Sequence, residues 1–148
     1  MHTIPDKVPY TNPLLAGRHP FQIYLLMLCA VSGIPLVFGV ETAGSVNALL
    51  PDWAGFTWGL SLSLGSALGI VGAYWPRSHI ATALTLEEIS MLIVGPSAML
   101  YAVLIALYIG WSGTVTVLIV AGFGLAALTR ARHIAYVISR AIKKQEAA

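Results

Sequence analysis

Residues 89–109 read ISMLIVGPSAMLYAVLIALYI; GWSG follows at 110–113, and a second apolar run, TVTVLIVAGFGLAALT, fills 114–129. Hydrocarbon about 30 Å thick takes roughly 20 helical residues to cross. The first run meets that length without a single charge. A barrel strand would alternate apolar and polar residues over about ten positions instead. The two runs therefore read as membrane helices joined by a tight Gly-Trp-Ser-Gly turn, with the later span starting near Ser112.

Working outward, two further runs have the same character. Residues 55–74 are flanked by Asp52 and Arg77, and residues 21–40 are preceded by Arg18 and His19 and followed by Glu41. The expectation is an all-α, integral membrane four-helix bundle with spans at about 21–40, 55–74, 89–109 and 112–129. A segment of residues 1–20 precedes it and a tail of residues 130–148 follows. Composition agrees: hydrophobic residues make up 57% of the chain and charged residues 9%, where a soluble domain carries about 25% charged residues. Pro5, Pro9, Pro13 and Pro20 interrupt the first twenty residues. No compact apolar stretch precedes a cleavage site there, so the first span is expected to stay as an anchor.

Orientation comes from the basic residues. Lys7 and Arg18 precede span one, Arg77 lies between spans two and three, and Arg130, Arg132, Arg140, Lys143 and Lys144 follow span four. The other two loops carry none. Both termini are expected in the cytoplasm, as an even number of spans requires. Trp53 and Trp58 at one end of span two, Trp75 at the other and Trp111 in the turn suit the headgroup zone, where an indole keeps its N–H hydrated. Beyond Arg130, Ile134, Val137, Ile138 and Ile142 recur at helical spacing among basic residues. Two readings stand: an amphipathic helix lying on anionic lipid through Arg130, Arg132, Arg140, Lys143 and Lys144, or a topology signal alone. Nucleic acid is not expected as a partner, because topology already explains these charges.

Candidate functional residues are few. Ser61, Gly65, Gly69 and Gly72 form a small-residue face on span two. Small residues four apart let helix backbones approach closely, either within the chain or in a homo-oligomer. Gly122, Gly124, Ala126 and Ala127 make a second, poorer face on span four. Pro35 and Pro96 each remove a helical hydrogen bond and mark kinks, static or hinged. Thr85-Leu86-Glu87-Glu88 has the form of a capping box, with Thr85 as N-cap and Glu88 at N3. The same carboxylates could instead handle ions or protons, or pair with Arg77, Arg130 or Arg132. Cys29 is alone and reads as a packing residue. His2, His19, His79 and His133 all lie outside the spans, and no metal spacing, phosphate-cradling loop or nucleophile–base pair is evident. The expectation is a non-enzymatic protein without a cofactor.

Arg77, then Ala83-Leu84-Thr85-Leu86-Glu87, then Tyr101-Ala102, the Gly110-Trp111 turn and the basic ending with Arg130 and Arg132 resemble small four-span membrane proteins encoded by actinobacterial bacteriophages. Proteins of that kind are often called holins. The resemblance covers most of the chain in layout, through short motifs. It implies a phage protein of the host inner membrane, one that oligomerises and permeabilises that membrane so that endolysin is released. Two other readings remain open: an interaction or exclusion protein that binds a host membrane complex, and a small transporter or channel subunit using Glu87 or Glu88.

Overall fold

The computed structural model describes residues 20–40, 49, 51–76 and 79–146. Among them are four α-helices: α1 (Pro20–Val37), α2 (Asp52–Tyr74), α3 (Ile80–Ile109) and α4 (Thr114–Glu146). A 3-10 turn, Gly110–Gly113, joins the last two. The protein is an all-α four-helix bundle and an integral membrane protein, since α2, α3 and α4 are each long and apolar enough to cross a bilayer. The apolar α1 has 18 residues, about 27 Å at the usual helical rise. Residues 1–19, with Lys7, Arg18 and His19, lie outside the described residues, as do Glu41 and Arg77.

The helix ends follow from local chemistry. Pro35 stands in the last turn of α1. Beyond it Val40 N–H reaches the Pro35 carbonyl at 3.0 Å, and Gly39 takes φ +66°, the left-handed conformation that ends helices cheaply only at glycine. Gly110 ends α3 with a positive φ of +65° and ψ −143°, a backbone conformation open to glycine because it lacks a Cβ, and its N–H donates to the Ala106 carbonyl. By contrast α3 runs unbroken through Pro96, whose side chain is exposed. Next to it, Ser97 Oγ donates to the Ile93 carbonyl at 2.8 Å.

Two helices outrun the lengths expected from bilayer thickness. α3 starts at Ile80, nine residues before the expected 89, because nothing between His79 and Glu87 breaks a helix. The consequence for Thr85 is direct. It lies in the second turn and its hydroxyl donates back to the Ala81 carbonyl at 3.0 Å. It does not cap, and the N-cap position belongs to His79. α4 likewise continues without a break past Thr129. Ala131 and Ile134 are buried, so the first turns of the expected tail belong to the bundle.

The helices pack in chain order. α1 lies on α2, α2 on α3 and α3 on α4, and no other pair of helices brings its described backbones close. Association in lipid has no hydrophobic force behind it and depends on close van der Waals fit. Each junction accordingly has glycine in it. A Cβ placed on Gly59 of α2 would lie 2.6 Å from Leu36 Cβ and 2.7 Å from the Gly33 carbonyl oxygen of α1. One placed on Gly65 would lie 2.8 Å from Ile93 of α3, and one on Gly124 of α4 3.0 Å from the Gly95 carbonyl oxygen of α3. Leu26, Met91, Val94, Ala127 and Ala131 fill the centre.

Two hydroxyls in this packing are wholly buried without a hydrogen-bond partner, Ser66 Oγ and Ser90 Oγ. An orphaned buried polar group costs about 1–3 kcal/mol. Ser66→Ala is therefore expected to leave stability unchanged or raise it by up to about 1 kcal/mol. Unfolding in mixed detergent micelles measures it, and a loss above that size would show that the hydroxyl has a partner.

Candidate functional site

Polar chemistry inside the bundle concentrates at one level. Glu87 Oε1 accepts a hydrogen bond from Arg130 Nε at 2.8 Å and another from Gln22 Nε2 at 3.0 Å. One carboxylate oxygen thus ties α3 to both α4 and α1. The side chains of Arg130 and Glu87 are 23% and 15% exposed, so the ion pair is largely withdrawn from its surroundings. Glu87 precedes Ile109 by 22 residues, about 33 Å along the helix. The cluster therefore sits one hydrocarbon thickness from the 110–113 turn, at the end of the bundle where α1 begins.

Of the readings of Glu87 left open by the sequence, the ion pair with Arg130 is the one this geometry shows. Its partner is Arg130, and the carboxylate holds helices together in place of capping one. Glu88, half-buried, lies outside the cluster. Arg130 was also expected on a lipid-facing basic surface; its guanidinium is turned into the bundle instead. Arg132 and Arg140 are exposed, and Arg140 stands over the Tyr136 ring at 4.6 Å. Lys143 and Lys144 fall on the final turns of α4.

The small-residue face of span two is used inside the chain. Gly65, Gly69 and Gly72 all turn toward α3. Ser61 bonds its own helix, donating to the Thr57 carbonyl at 2.9 Å. A second small face on α2 had no counterpart in the sequence reading: Gly59 and Ser63, four apart, meet α1. Ser63 Oγ donates to the Ala30 carbonyl across that junction at 3.3 Å. Gly55-x-x-x-Gly59-x-x-x-Ser63 was the available signal, obscured by the neighbouring Gly65 pattern. The four small residues of α4 divide between two faces. Gly124 and Ala127 are buried against the bundle, while Gly122 and Ala126 are exposed, and nothing lies within 4 Å of a Cβ placed on Gly122.

Toward the 110–113 turn α1 and α4 part, leaving an apolar crevice of about 560 Å³. Leu28 and Pro35 of α1 face Val120 and Phe123 of α4 across it, and Trp58 of α2 and Tyr101 of α3 form the floor. The two floor rings are in tilted contact, with centroids 4.6 Å apart and planes inclined by 40°. Trp58 is thus turned into the bundle, and its indole N–H is buried without a partner. Cys29 borders the same space. Among the described residues, no three His, Cys, Asp or Glu side chains gather as a metal would require.

No protein-family model matches the chain, and no curated protein or solved structure is significantly similar to it.

Proposed function

We propose that this is a non-enzymatic bacteriophage protein of the host inner membrane, with both termini in the cytoplasm, that associates laterally and permeabilises the membrane in the manner of a holin. The resemblance in layout supports the phage origin. The observation that carries lateral association is the exposure of α4. Its apolar window is 17% buried within the chain, against 39% for α2 and 33% for α3. Gly122 and Ala126 lie on its open side, where a second backbone could approach closely. The glycines of α2 are already occupied, so a homo-oligomer would form through α4.

Timed expression in bacteria together with an endolysin tests this reading. The expected course is sudden depolarisation, growth arrest and release of the enzyme. Gly122→Leu, at an exposed position where an added Cβ has nothing within 4 Å, is expected to delay onset several-fold at unchanged protein level. Intact membrane potential throughout would refute permeabilisation, and a stoichiometric host protein recovered under those conditions would favour the interaction or exclusion reading.

Orientation has its own test. With Cys29 replaced by Ser, a cysteine introduced by Ser112→Cys is expected to react with a membrane-impermeant maleimide added outside spheroplasts. Labelling only after the cells are opened would place the turn in the cytoplasm and overturn the arrangement.

A further inference from the structure

We infer that the exposed stripe of Arg132, Tyr136 and Arg140 on α4 binds the headgroup phosphate of an anionic phospholipid, in the leaflet that α4 enters last. The inference rests on α4 crossing the bilayer and is independent of any role in lysis. Three observations carry it. The first is position. Arg132, Tyr136 and Arg140 are four apart, so they share one helix face, and all three are exposed. Ala131 and Ile134 are buried on the other side. The helix continues without a break to Glu146. Measured along it from Thr114, Arg132 stands at about 27 Å, Tyr136 at about 33 Å and Arg140 at about 39 Å. Hydrocarbon ends at about 30 Å, and headgroups fill roughly the next 5–8 Å. The stripe therefore runs lengthwise through the phosphate layer.

The second observation is the pose of Arg140. Side chains of a helix lean toward its N-terminus, and at this end of α4 that direction is toward the bilayer. Arg140 follows the lean, with its guanidinium over the Tyr136 ring at 4.6 Å from the centroid. The cation is thus carried back to the level of the headgroups. The third observation is charge. Among the described residues the ion pair is that of Glu87 with Arg130, and neither Arg132 nor Arg140 has an acidic partner. A guanidinium fork matches two phosphate oxygens at once. A topology signal needs only positive charge on this side of the membrane. It requires neither a shared face nor an arginine folded back over a phenol ring.

The test uses the full chain labelled with 3-fluorotyrosine, one chain per nanodisc, with phosphatidylglycerol titrated into phosphatidylcholine at near-physiological salt. The Tyr136 fluorine resonance, assigned from Tyr136→Phe, is followed by NMR. It is expected to move with phosphatidylglycerol content and saturate, while those of Tyr24, Tyr74, Tyr101 and Tyr108 stay in place. Arg132→Gln, at an exposed position, should raise the half-saturating lipid fraction about fivefold. Lys144→Gln removes the same charge about 45 Å from Thr114, beyond the headgroups, and should change that fraction less than about twofold. Inorganic phosphate added to pure phosphatidylcholine discs should leave the Tyr136 resonance where it was. Comparable movement of all the tyrosines, a response that does not saturate, or equal effects of the two variants would each show attraction to surface charge alone and overturn the assignment. An equal response to inorganic phosphate would overturn it in favour of a soluble anion.

Discussion

Gly59→Ala is expected to destabilise the bundle by about 2 kcal/mol, within the range of roughly 1–3 kcal/mol seen for overpacked interiors. The added methyl would meet the Gly33 carbonyl oxygen at 2.7 Å and the Val37 amide nitrogen at 3.0 Å. These are backbone atoms and cannot rotate away, so α1 and α2 must separate along the junction. Separation also lengthens the 3.3 Å bond from Ser63 to the Ala30 carbonyl. Gly122→Ala makes the appropriate comparison. It adds the same methyl to a membrane helix, but with no atom within 4 Å, and is expected to change stability by less than about 0.5 kcal/mol. Unfolding of both variants in mixed micelles checks the difference. Similar values for the two would mean that the α1–α2 junction is looser than described.

Arg130→Met should cost more, about 3 kcal/mol. Breaking a buried pair by removing one member typically costs 3–5 kcal/mol, because the other charge is left without compensation; the partial exposure of this pair places the value at the lower end. Replacing both members is a different matter. The double variant Glu87→Gln with Arg130→Met leaves no orphaned charge, and the new amide can still meet Gln22. It should regain at least half of the single variant's loss. Gln22→Leu removes one neutral donor and should cost about 1 kcal/mol. A double-mutant cycle on these variants isolates the coupling between Glu87 and Arg130. Additive losses, with no recovery in the double variant, would show the two side chains acting separately.

Much of this architecture was legible in the sequence because lipid punishes exceptions. The Gly110-Trp111-Ser112-Gly113 turn had to break two uncharged runs, and it does so as a 3-10 turn between α3 and α4. Arg130 was among the few cations within reach of Glu87, so that pairing could be foreseen as one alternative. Other features leave weaker traces. Counting residues against hydrocarbon thickness measures the bilayer and says nothing of where a helix stops. For that reason the early start of α3 at Ile80 was missed, and with it the true place of Thr85. Gln22 carries no charge and one glutamine at the start of an apolar run has no signature of a partner 65 positions away. The pairing of Gly33 with Gly59 depends on a register between two helices. The crevice is harder still to read, since it results from two helices failing to meet.

The packing of each helix on its successor has a consequence for biogenesis. Every close backbone junction joins segments that leave the ribosome one after the other, so each can form as soon as its second member enters the bilayer. No early segment must wait for a distant mate to cover its glycines. The exceptions are Leu26 at the centre and the bonds meeting on Glu87, which need α4 as well as α1. Those contacts close after the neighbouring junctions, and they latch α1 to α4.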